Sequence, residues 1–249
     1  MLGWQSGTTS LAFLSGTMIQ GLITLNYPSY VGERWHGTLL LYAVIAITIV
    51  VNTYLANHMP KIEGIIFILH MVGFFGILIP VVYLAPHGTA KDVFGLFMNE
   101  GGWETQGLSF FVGITTSVFS FLGADSACHM AEEIEGASTI IPWAMLSAIV
   151  INGALGFGML IAILFCAGDL ERVLGSATGF PFIEIFYQAT DSIAGSTAMT
   201  SLIVALVIFG AAACFTTSSR MMWAFARDNG LPFSEYLKRV CSTVRVPPS

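Results

Sequence analysis

Charge is what this sequence has least of. Lysine, arginine, aspartate and glutamate make up 10% of its 249 residues, where a soluble domain carries about 25%. Nine basic and fifteen acidic side chains cannot solvate a globule of this size, which excludes a soluble fold. The net charge of −6 offers no basic face, which excludes a nucleic-acid partner. Cysteines are few and unpatterned. Cys128, Cys166, Cys214 and Cys241 show no CxxC or Cys/His spacing, so they indicate neither a zinc site nor a disulfide framework. Buried thiols fit better. A basic n-region is missing as well, so no cleavable signal peptide is visible. Met1 runs straight into apolar helix, which sets the expectation that the chain begins inside something larger. The glycines of "NGALGFG" (152–158) have no strand before them and no acidic ribose partner after them, which excludes a nucleotide loop. No cofactor and no metal is expected.

Apolar length is what the sequence does have. Hydrophobic residues reach 55%, and a helix needs about 20 of them to cross a bilayer core. Six segments qualify, at roughly 3–25, 38–56, 63–85, 107–131, 142–167 and 196–226. The chain therefore reads as all-α integral membrane protein, one transmembrane domain over 1–249 with six transmembrane helices. Between the last two spans, Pro181 suits a first helical position. "PFIEIFYQ" then predicts a short amphipathic lid over 181–190, lying on the membrane face.

The basic residues orient it. Arg34, Lys91 and Arg172 fall on one side; Lys61, Arg220, Arg227, Lys238, Arg239 and Arg245 fall on the other. The excess makes the second side cytoplasmic. The first span then runs outward, and the fourth and sixth run inward. Gly3 and Gly7 form a GxxxG step, read as close helix packing.

The fourth span changes character midway. "FFVGITTSVFSFLGADSACHMAEEIEG" (110–136) is uncharged and largely apolar until Gly123 and Asp125. In hydrocarbon, helices break only where protein or a cavity replaces the lost backbone hydrogen bonds. Gly123 costs a helix roughly 1 kcal/mol against alanine, and Asp125 and Ser126 favour helix starts. The reading is a broken helix at Leu122–Gly123, with a second half starting at Asp125 or Ser126. From Leu108 the break lies about 22 Å along, somewhat past the midplane. Discontinuous helices at that depth are where secondary transporters hold substrate. The alternative is a span that simply ends at Gly123, with Asp125 capping a cytoplasmic helix.

"FSFLGADSACHMAEEI", "PKIEGIIFILH", "GFPFIEIFYQAT" and "SSRMMWAFARDNGLP" resemble the amino acid–polyamine–organocation transporter superfamily. They are most similar to its fungal amino acid/choline permeases, the group that includes GABA and choline carriers. The resemblance runs from Gly3 to about Val246. It implies a leucine-transporter-type fold with two inverted five-helix repeats and usually twelve spans. The six spans correspond to family helices three to eight. The broken first helix, which binds the substrate carboxylate in amino acid carriers, has no counterpart here. The expectation is therefore a fragment holding half of the site.

The resemblance also implies roles. The carbonyls of Phe119, Ser120 and Leu122 beside Gly123 would receive the substrate's ammonium or quaternary nitrogen, as the helix dipole favours. Phe121 aligns with an aromatic gate that could supply cation–π contact; ordinary packing is its other reading. Asp125 is either the cap of the second half-helix or an ionisable group of the site. Glu132 and Glu133 form either a solvated helix end or an inner-gate pair with Arg220 or Arg227. His70 stands where several family members carry a lysine linked to proton coupling; a neutral, hydrogen-bonded histidine is its alternative. His129 reads as a polar helix-end residue.

These features imply a secondary transporter of amino acids, GABA, choline or related amines, proton-coupled as a symporter, in the plasma membrane. Its partners would be that small molecule, a proton and membrane lipid. The competing classes are a truncated remnant that does not transport and a substrate-sensing receptor on the same fold. A membrane enzyme lacks a His/Asp/Glu constellation.

Overall fold

The structure is a computed structural model that describes residues 2–239; the side chains of Met130, Glu132 and Glu133 lie outside the description. Nine α-helices follow one another up to the last long one: α1 (Leu2–Asn26), α2 (Arg34–Tyr54), α3 (Met59–Leu84), α4 (Ala90–Gly95), α5 (Gln106–Ser120), α6 (Ala137–Phe165), α7 (Leu170–Leu174), α8 (Pro181–Thr190) and α9 (Ile193–Arg227). The single turn α10 (Ser234–Leu237) comes after them, and 3₁₀ segments occupy Ala56–His58 and Ser126–Glu133. Five helices are long and apolar enough to cross a membrane: α1, α2, α3 with its preceding 3₁₀ turn, α6 and α9. The sixth expected crossing is not continuous. At 15 residues, α5 is only about 22 Å long, and the chain needs the 3₁₀ segment to continue beyond it.

Local sequence sets the helix starts. The Thr105 hydroxyl accepts from the Leu108 N–H at 3.1 Å, and the Ser192 hydroxyl accepts from the Gly195 N–H at 3.2 Å; each supplies an acceptor to an orphan donor of a first turn. Pro60 and Pro181 lie in the first turns of α3 and α8, where the missing N–H costs nothing. Within the membrane, serine and threonine satisfy themselves on the preceding turn, as Thr8 does on the Trp4 carbonyl at 2.9 Å and Ser15 on the Leu11 carbonyl at 2.8 Å.

The centre of the bundle is α1 against α9, with α2 beside both. Gly16 lets α1 approach α2: a Cβ there would stand 3.3 Å from the Leu41 backbone nitrogen. A polar clasp ties α2 to α9. Asn52 donates from Nδ2 to the Ala212 carbonyl at 3.1 Å and accepts from the Thr216 hydroxyl. In lipid such a clasp removes polar groups that would otherwise lack partners. The helices α5 and α6 lie at the margin; α5 has no buried residue and α6 has one, Ile141.

One helix departs from its expected setting. The α8 lid begins at Pro181 as anticipated, but it does not lie on the membrane face. Every residue from Phe182 to Thr190 is at least partly buried. Phe186 and Ala189 join Ile77, Val81, Ala85, Cys166 and Met199 in the main buried cluster. The Ser196 hydroxyl donates to the Ile183 carbonyl at 3.0 Å. On the exposed side, the Arg172 guanidinium pairs with Glu184 at 2.9 Å. Thus α8 is a plug over the ends of α1, α3, α6 and α9. An amphipathic pattern reveals one apolar face; it cannot reveal that the other face is covered too.

Gly21 admits this plug. A Cβ there would stand 2.9 Å from the Thr178 carbonyl and 3.1 Å from the Phe180 ring. At Gly73 a Cβ would meet only the flexible tip of Leu202. Gly21→Ala is expected to lower stability by about 1–3 kcal/mol, the usual cost of overpacking, whereas Gly73→Ala should cost much less. Thermal unfolding of both variants in lipid nanodiscs checks the contrast, and equal shifts would contradict it.

The same end of the bundle gathers the connectors assigned outside. The Gly88 N–H donates to the Phe165 carbonyl at 2.7 Å, and Asn26 reaches Thr197 at 3.0 Å. Lys61, Arg220 and Arg227 belong to the opposite end of their helices. In cells, an impermeant thiol reagent added outside should label Lys91→Cys and spare Lys61→Cys; the reverse pattern would invert the orientation.

Candidate substrate site at the broken helix

α5 ends at Ser120, two residues before the expected break. Phe121 takes φ −104° as its C-cap, and residues 121–125 form a turn in which Gly123 holds φ +93°. That value lies in the half of backbone space that side-chain-bearing residues avoid. The chain resumes at Ser126 in a 3₁₀ segment rather than an α-helix. Its tighter turns suit a short, polar stretch that cannot bury a full apolar stripe.

The break changes which backbone groups are available. The Phe119 carbonyl accepts from the Leu122 N–H at 3.2 Å, and the Gly123 carbonyl accepts from the Ser126 N–H at 3.0 Å. The carbonyls of Ser120 and Leu122 accept no hydrogen bond among the described residues. Two of the three expected acceptors are thus open, and the third is shared.

A cavity of about 500 Å³ opens beside the break, lined by Gly3, Trp4, Gly7 and Leu11 of α1, by Phe119, Leu122, Gly123 and Asp125, and by Cys214 and Met221 of α9. A Cβ on Gly3 or Gly7 would meet nothing within 4 Å. Among the described residues the GxxxG step therefore leaves room beside the cavity and packs against no helix, where the sequence reading is close packing. Asp125 is the one charged residue of this lining. Asp125 stands at the N-cap position of the 3₁₀ segment, and its carboxylate makes no cap hydrogen bond there. Its Oδ2 lies 3.4 Å from Nε2 of His129 instead. The His129 ring stands edge-on to Trp4, with centroids 5.6 Å apart.

Other expected site residues lie elsewhere. Phe121 does not reach the cavity; its ring sits where a Cβ on Gly153 of α6 would touch it at 3.5 Å. His70 is half-buried on α3, one turn before Gly73 and Ile77, the buried face of that helix. It has no hydrogen-bond partner among the described residues. Arg220 stands near enough to Glu63 of α3 for its charge to act on that carboxylate. Arg227 stacks over the Trp223 ring at 4.9 Å. The Glu132 and Glu133 side chains, and with them the inner-gate pairing, lie outside the described residues. Gln5, Ser6 and Thr9 face a separate groove beside Leu41 of α2. Trp4, Leu11, Cys214 and Met221 were not legible as site residues, because the sequence does not say which face of α1 meets α5 and α9. The aromatic at Trp4, ahead of Gly7, was the one available signal.

A helical membrane chain with several apolar crossings and one interrupted helix at a cavity defines a class, the polytopic carriers. The chain belongs to the amino acid permease family, whose model matches residues 1–244. It is 34% identical over 236 residues to a Macrophomina phaseolina protein named for amino acid/polyamine transport, covering 94% of this chain and 52% of the relative. It is 34% identical over 245 residues to the choline transporter of Saccharomyces cerevisiae, covering 97% and 43%. The GABA-specific permease of the same yeast is 33% identical over 156 residues, covering 62% and 27%. The chain spans about half the length of the curated relatives it matches. No solved structure matches it. Members of this family are transporters, not enzymes.

Proposed function

We propose that this chain forms part of a secondary transporter for amino acids, GABA, choline or related amines, driven by the proton gradient across the plasma membrane. The observation that carries the reading is the cavity at the break, lined by Leu122 with its open carbonyl, by the Asp125 carboxylate and by the aromatic residues Phe119 and Trp4. An ammonium or quaternary nitrogen suits it. The Ser120 carbonyl ends α5 and the Leu122 carbonyl lies in the turn just beyond it, at a helix C-terminus where the dipole favours positive charge. Phe119 and Trp4 offer ring faces for cation–π contact, about 0.5–2 kcal/mol each. Asp125 supplies the counter-charge, and Gly3 and Gly7 leave space. The names of the relatives support the same classes of substrate.

Transport then needs the outer plug α8 and the cytoplasmic ends of α5 and α9 to open in alternation around this cavity. The test is counter-flow uptake in cells lacking endogenous carriers, with choline, GABA and a panel of amino acids as labelled probes. Expression of the full reading frame should give saturable uptake of at least one probe. Binding without net uptake would point to a substrate sensor on the same fold, and no binding of any probe would overturn the reading.

A further inference from the structure

We infer that Asp125 and His129 form a proton-controlled switch on the cavity, in which a cationic amine and the protonated imidazole compete for one carboxylate. The inference rests on the proposed substrate site. Asp125 is the one charge in the lining, and its carboxylate is not consumed by the helix it precedes. Its side chain stays 61% exposed, while that of His129 is 28% exposed. The carboxylate is therefore open to a ligand, and the imidazole is held beside it. Trp4 holds the ring from the other side and is itself a cavity wall.

Histidine is the side chain whose ordinary titration falls between about pH 5 and pH 8. When protonated, the ring donates to Asp125 and neutralises it. When neutral, the ring leaves a full negative charge for the ammonium. Proton uptake at His129 thus expels the amine, and amine binding expels the proton. α1 and α6 pack around the segment and carry no titratable side chain over Leu2–Asn26 and Ala137–Phe165. The ionisable groups nearby are Cys128, Glu132 and Glu133 on the same segment, Glu135 just beyond it, and Cys214, Arg220 and Arg227 on α9, which also packs on the segment.

Labelled choline binding to the carrier purified from the full reading frame in nanodiscs, at about pH 8 and about pH 5, tests the switch. The wild type should bind two- to fivefold more weakly at the acid pH, the range expected of a half-exposed ion pair. His129→Gln should bind equally at both, at the affinity the wild type has near pH 8. His129→Asn should behave alike, which guards against a glutamine that disturbs Trp4. Asp125→Asn should bind weakly at both. Equal wild-type binding at the two pH values would overturn the switch and leave the substrate site standing, as would a pH dependence that survives both His129 variants. If the wild type binds no choline at either pH, the amine site and the switch fall together.

Discussion

Gly123→Leu is expected to abolish uptake while leaving the carrier at the membrane. Leucine at φ +93° meets its own backbone, at a cost of roughly 1–2 kcal/mol. The relaxed alternative is a helix that continues through 121–125. Continuation would consume the open Ser120 and Leu122 carbonyls. If the turn persisted, the side chain would project toward Trp4, whose ring lies 4.0 Å from a Cβ at this position, and would fill part of the cavity. Both routes remove the site. A loss of one or two kilocalories spread over a bundle tied by α1, α2 and α9 should not prevent folding. Gly123→Ala should fall between, keeping the cavity but straining the turn. The check is initial uptake rate alongside surface biotinylation. Wild-type uptake by the leucine variant would mean that the turn is not part of the substrate path.

His70→Gln is expected to keep substrate exchange and to lose accumulation driven by pH. His70 lies about 17 Å along α3 from Met59, close to the middle of a hydrocarbon core about 30 Å thick. A charge at that depth is costly and marks function more often than packing. Alternating access converts a pH difference into direction only if some group is protonated facing outside and deprotonated facing inside. Glutamine keeps the approximate size of histidine but cannot titrate. The measurement is steady-state accumulation in proteoliposomes with and without an imposed pH gradient. This effect is separable from that of His129, which acts on affinity under symmetric pH. Unchanged accumulation in His70→Gln would assign proton coupling elsewhere.

The long apolar spans, the lid helix at Pro181 and the break were legible because each has a local cause. Twenty apolar residues, a proline at a helix start, and glycine before aspartate act within one or two turns. What escaped depends on the neighbour across the gap. Phe119 and Phe121 are both aromatic residues of one apolar run, yet only Phe119 lines the cavity, because the helix ends at Ser120 and Phe121, in the turn beyond, lies against Gly153. Gly3 and Gly7 have the spacing of a packing step, but a Cβ on either would meet nothing within 4 Å among the described residues. His129 looked like a helix-end residue until the 3₁₀ segment brought Asp125 and Trp4 to its two sides. α3 is apolar all round, so its sequence could not single out the stripe of Gly73, Ile77 and Val81 that α8 and α9 cover.

The central claim is that substrate occupies the cavity between α1, the break and α9. Leu122→Cys places a thiol on that cavity, in a background with the native cysteines replaced by serine. Phe110→Cys, twelve residues earlier on exposed α5 and outside the cavity lining, serves as the control. The rate of modification by a small methanethiosulfonate is measured with and without saturating substrate. The account predicts strong protection at position 122 and none at position 110. Equal modification rates at 122 with and without a substrate that the carrier demonstrably takes up would contradict it.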